Sequence, residues 1–341
     1  MSYKHILAPY IMEKTVEMMR VSDIMRMTHL NIAFAHVKDS IVSVDHLQRL
    51  DRIATYKLIN PELKVILSIG GWAADGFSQA ASTKEGRETF AKTAMAIVEK
   101  WDFDGMDIDW EYPCSDQAGI AYGPEDKENF TLLLTELRKI LDSSESKNNK
   151  KYLLTAAVGG EQYFIDGTEM DKVAQILDYV NLMTYDLRGG FTDVSGHHAS
   201  LGPQTGDENG PCSMRTVELF HNAGVPYEKM ILGAAFYGRM WSDVSSTENN
   251  GLGQKAATKG VGLFEFDLQD EKTIELNGYT RYFDEKAQAP YLFNGKNFIS
   301  YEDKVSIKAK CNFVKEKGLA GMMYWAYGNH VLFDEMAADL D

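Results

Sequence analysis

The chain is poor in cysteine. Only Cys114, Cys212 and Cys311 occur, roughly 100 residues apart and without CxxC spacing. That pattern argues against a disulfide framework and against a cysteine zinc site. Cys311 reads as a buried helix residue. Cys114 is the one candidate reactive thiol, against the ordinary reading of an inert one. Long apolar runs are also missing, since none approaches the roughly 20 residues of a spanning helix. Met1-Ser2-Tyr3-Lys4-His5 runs straight into an apolar segment, without the charged start, long apolar stretch and small-residue cleavage site of a signal peptide. The expectation is a cytoplasmic protein, or one secreted after removal of a signal, with no membrane partner. Basic residues are in deficit: 35 Lys and Arg against 50 Asp and Glu, a net charge of -15. An acidic surface repels phosphate backbones, so no nucleic-acid partner is expected and the substrate should be neutral or cationic.

The 341 residues suffice for one large domain or two average ones, and the 25% of charged residues are ordinary for a folded soluble chain. Short β-rich apolar runs alternate with helical patterns, which predicts βα units around a parallel sheet. The predicted strands are residues 5–11, 28–37, 63–70, 103–111, 152–159, 179–186, 230–238 and 319–325. Residues 84–101 place Phe90, Ala94, Ile97, Val98 and Trp101 at helical spacing, and residues 125–142 do the same with Phe130, Leu133, Leu134, Leu137 and Leu141. The polar stretch Ser143 to Lys151 reads as an exposed loop. Eight strands in this order predict a (β/α)8 barrel, with a doubly wound open sheet as the alternative. After the seventh strand comes an interval of roughly 60 residues, too long for an ordinary connection. It contains alternating pieces such as Gly262-Leu263-Phe264-Glu265-Phe266. The predicted organisation is therefore a barrel from 1–239 and 301–341 with a small α+β insertion at 240–300, walling a cleft at the catalytic face.

The run Phe103-Asp104-Gly105-Met106-Asp107-Ile108-Asp109-Trp110-Glu111-Tyr112-Pro113 carries the chemistry. In a strand, alternate residues share a face, so Asp107, Asp109 and Glu111 line one side at Cα steps of about 6.6 Å. Met106, Ile108 and Trp110 face the other way, and Asp104 falls out of step. Stacked buried carboxylates push at least one pKa upward. Glu111, outermost at the rim, is the candidate general acid. A solvated acidic loop and a divalent metal site are the competing readings. The apolar alternation opposes the first, and the small number of oxygen ligands opposes the second.

With its DxxDxDxE form, this run resembles the signature of family-18 glycoside hydrolases, the chitinases. The resemblance extends over nearly the whole chain, through Ser68-Ile69-Gly70-Gly71-Trp72, Met183-Thr184-Tyr185-Asp186, Gly196-His197-His198-Ala199, Phe236-Tyr237-Gly238-Arg239 and Met322-Met323-Tyr324-Trp325. It implies substrate-assisted retaining hydrolysis of chitin or chitooligosaccharides, an exception to the two-carboxylate scheme. Glu111 would be the acid and then the base. Asp109 would stabilise the oxazolinium, Asp107 would share a proton with Asp109, and Tyr185 would aim the acetamide carbonyl. Trp325 would lie under the reacting sugar and Trp72 on the leaving-group side. Met183, Asp186, Tyr237, Arg239 and Tyr112 would line the pocket. Trp110 is assigned to the core, and His197 and His198 to loop hydrogen bonding rather than to a metal. No cofactor and no metal are expected, and the chain should act as a monomer.

The sequence departs from the family pattern in three places. Ala235 stands where many relatives carry proline. Pro9 precedes Tyr10 where paired aromatics are usual, which bears on how Asp107 is supported from below. Ala326-Tyr327-Gly328 follows Trp325 where an acidic or polar residue is more usual. Three rival functions stand beside the chitinase: a non-catalytic chitin-binding lectin, an endo-β-N-acetylglucosaminidase acting on N-glycans or peptidoglycan, and an unrelated barrel with a metal site.

Overall fold

The computed structural model describes residues 4–264 and 267–340. Eight parallel strands follow one another around a sheet: Ile6–Met12, His29–Lys38, Lys64–Gly70, Gly105–Asp109, Leu153–Gly159, Tyr179–Met183, Met230–Ala235 and Gly321–Trp325. The first strand pairs with the eighth, Ile6 opposite Gly321, and also with the second, Tyr10 opposite Asn31. That double pairing closes the sheet, so the fold is a (β/α)8 barrel and not an open doubly wound sheet. The strands are apolar almost throughout because both faces are covered, as in Lys64–Gly70, where only the first residue is exposed. Gly70 is required where the third strand ends. A Cβ there would sit 2.1 Å from the Asp109 carbonyl oxygen, and its φ is +122°.

The helix Lys84–Trp101 matches its sequence pattern at both ends. Thr83 Oγ1 accepts from Gly86 N at 3.0 Å, and Asp102 terminates the helix at φ +56°. Phe90, Ala94 and Val98 are buried against the barrel. The next helix corrects the sequence reading. It spans Asp126–Asn148, so much of the stretch expected as a loop is helical. Ser143 and Ser146 donate their hydroxyls back to the carbonyls of Lys139 and Asp142, which satisfies polar side chains without leaving the helix. Ser144 is buried. Trp110 is core as expected, 1% exposed and stacked on Phe77 at 5.4 Å. Cys311 is buried in the helix Lys304–Lys317.

Past the seventh strand the chain builds a second, antiparallel sheet from Gly238–Trp241, Val261–Leu263, Thr280–Asp284, Ala289–Phe293 and Phe298–Ser300. Its two faces bury separate clusters, as strand alternation demands. Trp241, Tyr291, Phe293 and Phe298 lie together, whereas Leu292 and Ile299 pack with Ile274 of the short helix Glu271–Leu276. Of the alternating run read in the sequence, Glu265 and Phe266 lie outside the described residues. The loop after the sixth barrel strand is stitched to this sheet through Asp284. Its carboxylate accepts from Thr205 N at 2.9 Å and Thr205 Oγ1 at 2.7 Å and meets His197 Nε2 at 3.2 Å.

Where the second sheet returns to the barrel, Lys310 and Glu302 form an ion pair with side chains 0% and 1% exposed, and Ser306 Oγ donates to Glu302 Oε2 at 2.7 Å. Removing one partner strands the other charge in an apolar setting. Lys310→Met is therefore expected to lower the unfolding free energy by about 3–5 kcal/mol. Urea denaturation of the variant checks this, and a loss near zero would show the pair to be dispensable.

Candidate active site

The acidic run separates into two ends of the barrel. Asp104 belongs to the lower end, where it accepts from Val65 N at 2.8 Å and pairs with Lys57 and Lys150. Gly105–Asp109 then forms the fourth strand, shorter than the expected 103–111, with Trp110 and Glu111 just beyond it. Asp107 lies inside the barrel at one level with Ser68 on the third strand and Thr155 on the fifth. Ser68 Oγ and Tyr10 Oη donate to its Oδ2 at 2.7 and 2.9 Å. Thr155 Oγ1 and Asn181 Nδ2 donate to its Oδ1 at 2.6 and 3.0 Å. Support from below thus comes from Tyr10, whatever precedes it. Among the described residues neither Asp107 oxygen bonds to Asp109, because two donors fill each.

Asp109 is nearly buried, and among the described residues its Oδ1 has no hydrogen-bond partner. Burial first, then repulsion from Glu111 and Asp107, push its pKa well above the usual carboxylate range. Burial also raises Asp107, although its four donors pull it partly back. Glu111 is pushed up to about 7, chiefly by burial, with Tyr112 opposing and the Asp186 charge adding to the rise. A raised pKa keeps the carboxyl protonated below about pH 7 and strips it above. If protonated Glu111 is the working form, kcat/KM should lose activity through an alkaline limb near pH 7. Asp186→Asn should move that limb to lower pH, because one source of the rise is removed. A limb unmoved in the variant would contradict the coupling.

Around these acids the mouth is aromatic. Trp325 stacks on Phe34 at 5.3 Å and leans on Tyr10 at 6.0 Å. Across the barrel, Trp72 is 61% exposed and meets Tyr112 edge-on at 6.3 Å, and Tyr112 meets Tyr163 at 5.2 Å. Met183 is buried at the end of the sixth strand. Tyr185 follows it within electrostatic reach of Asp109 and Glu111, and among the described residues its hydroxyl makes only a long contact to Met323 Sδ, 3.8 Å. Asp186 sits at φ +55°, a left-handed conformation that aspartate adopts more readily than most residues. Tyr237 Oη and Arg239 Nε each donate to it at 2.7 Å, and Arg239 Nη2 bonds its other oxygen. Burial works against its charge, but His198 and Arg239 hold the carboxyl well below the usual range.

The sequence-predicted site residues therefore converge: Asp107, Asp109, Glu111, Tyr112, Met183, Tyr185, Asp186, Tyr237, Arg239, Trp72 and Trp325 all reach the same end of the barrel. His197 and His198 bond to Asp284 and Asp186 respectively. Cys114 has its thiol near the carbonyls of Pro124 and Gly167, and burial raises its pKa, so it is not an activated nucleophile. Sequence reading missed Thr155 and Asn181. Their signal was available, since each is a polar residue inside an otherwise apolar barrel strand. It also missed Phe34, Tyr163 and Glu161, which carry no motif.

The glycosyl hydrolases family 18 model matches residues 7–329. Chitinase A1 of Niallia circulans is 38% identical over 310 residues, 85% of this chain and 44% of that protein. Chitotriosidase-1 of Mus musculus is 34% identical over 311 residues, 87% of this chain and 66% of that protein. The chain thus spans less than two thirds of either relative. Among solved structures, a glycoside hydrolase family 18 N-acetylglucosaminidase from Paenibacillus barengoltzii superposes with a TM-score of 0.94 at 45% identity, over 98% of this chain and 100% of that one. A family model covering nearly the whole barrel, with the acidic ladder at its mouth, places this chain in glycosyl hydrolase family 18.

Proposed function

We propose that the protein hydrolyses β-1,4 linkages between N-acetylglucosamine units of chitin or chitooligosaccharides, with retention of anomeric configuration. One observation carries the reading. A carboxyl pushed up to about 7 stands at the rim beside the buried Asp109, whose Oδ1 has no hydrogen-bond partner among the described residues, between two aromatic surfaces. In the proposed reaction Glu111 gives its proton to the glycosidic oxygen as the C1–O bond breaks. The acetamide carbonyl oxygen of the same sugar bonds to C1, and Tyr185 Oη aims it. Positive charge then spreads over the oxazolinium, next to Asp109. Three of the four donors to Asp107 are hydroxyls, which can turn and accept. Asp107 can therefore take up the proton that Asp109 gives away, and Asp109 meets the cation as an anion. Water next attacks C1 as the C1–O bond of the oxazolinium breaks and the acetamide carbonyl is restored, and the water's proton goes to Glu111. The sugar on the glycon side lies against Trp325, and the leaving sugar lies toward Trp72 and Tyr112. Met183, Tyr237, Arg239 and Asp186 line the pocket. The barrel at 1–239 and 301–341 is the catalytic unit, and 240–300 forms one wall of the cleft. No cofactor enters, and a monomer suffices.

The test is a pair of tetrasaccharides. The N-acetylglucosamine tetramer should be cleaved, in EDTA as without it, and the glucosamine tetramer should not, because it lacks the internal nucleophile. Equal cleavage of both would overturn the mechanism. A second reading, an N-acetylglucosaminidase, is favoured by the neighbour of that description at 45% identity. An endo-acting β-N-acetylglucosaminidase would act on N-glycans or peptidoglycan. Release of N-glycans without cleavage of chitooligosaccharides would put it first.

A further inference from the structure

Glu161 follows the fifth strand at the catalytic mouth and takes no part in the chemistry above. It is half-buried at the N-terminus of the short helix Gln162–Asp166 without capping it, and its carboxylate makes no hydrogen bond or ion pair with the described residues. Arg188 acts on it electrostatically without pairing with it, and is itself paired with Asp207. A partly desolvated carboxylate at the barrel mouth with no partner among the described residues points to a ligand group that would satisfy it.

Its position says which group. Tyr163 lies within electrostatic reach of both Glu161 and Glu111, and its ring contacts Tyr112, which contacts Trp72. Trp72, Tyr112, Tyr163 and Glu161 therefore form an arc over the ends of the third, fourth and fifth strands. Trp325 lies on the eighth strand, with Tyr10 and Phe34 around it. With the glycon sugar on Trp325, the arc holds the leaving sugar. The glycon unit must keep its N-acetyl group, which is the nucleophile. The leaving unit has no such requirement, and a glucosamine there presents an ammonium.

We propose that Glu161 is a specificity-determining residue of the leaving-group site, accepting from the ammonium of a glucosamine unit and directing cleavage of partially deacetylated chitin to N-acetylglucosamine–glucosamine linkages. This inference rests on the proposed function and deepens it. The overall charge of -15 favours a cationic polymer in the same sense.

The experiment is digestion of a partially N-acetylated chitosan of random sequence, with the new chain ends identified by mass spectrometry and NMR. Wild type and Glu161→Gln are compared, and the 4-methylumbelliferyl glycoside of N,N'-diacetylchitobiose, which has no leaving sugar, serves as control. For wild type, new non-reducing ends should carry glucosamine about threefold above its share in the polymer, the scale of a partly exposed ion pair. In Glu161→Gln that enrichment should vanish, while the aryl glycoside is hydrolysed at the wild-type rate. Ends at or below the random share in wild type, enrichment that persists in the variant, or failure of wild type to cut the chitosan at all would each overturn the assignment. Failure on the aryl glycoside together with the N-acetylglucosamine tetramer would instead strike the underlying hydrolase reading.

Discussion

Glu111→Gln should cut turnover on N-acetylglucosamine hexamer by at least about a hundredfold, the scale of one general acid. The glutamine keeps the shape and the hydrogen-bonding reach of the carboxyl but has no proton to give and cannot take one back. Both half-reactions lose their catalyst. The aromatic surfaces at Trp325 and Trp72 are untouched, so oligosaccharide binding measured by calorimetry should stay within a few-fold of wild type. A variant that loses binding along with turnover would indicate a disturbed mouth. A variant with near-full turnover would remove Glu111 from the acid role altogether.

Asp109→Asn should be nearly as damaging. In the proposed mechanism its carboxylate stands next to the position where positive charge develops, and loss of one preorganised electrostatic partner costs roughly 10²–10³ in turnover. A second consequence separates this from a packing defect. Asp109 and Glu111 repel one another. The two carboxyls titrate as a pair, so replacing one by an amide should displace the pH profile of kcat/KM. Steady-state kinetics across pH 5–9 read both effects. Turnover that falls with no displacement of the profile would contradict the coupled pair and leave only a structural loss.

Much of this site was legible because strand alternation is local. Asp107, Asp109 and Glu111 fall on one face at a spacing of two, and Trp110 falls on the other, so five residues told both which acids face inward and which tryptophan is core. The parallel order of strands was legible for the same reason, although their ends were not. Glu111 leaves the ladder just after Asp109, where the next residues turn over the barrel rim. The support of Asp107 was not legible. Its donors come from Tyr10, Ser68, Thr155 and Asn181, separated from it by 97, 39, 48 and 74 positions, and only barrel closure brings them to one level. The clamp of Tyr237 and Arg239 on Asp186 spans 51 and 53 positions. The helix Asp126–Asn148 outran its apolar pattern because a helix does not stop where its buried stripe stops. It ends where Asn149 takes a left-handed conformation, φ +52°. Glu161 had no motif at all and became visible only through what surrounds it.

The most direct test of the account is to follow the N-acetylglucosamine hexamer by proton NMR during the first minutes of hydrolysis, with wild type and Glu111→Gln in parallel. Retention through an oxazolinium predicts that new reducing ends appear first as the β-anomer and equilibrate only later, with wild type alone giving product. First appearance of the α-anomer, or equal product from the variant, would contradict it.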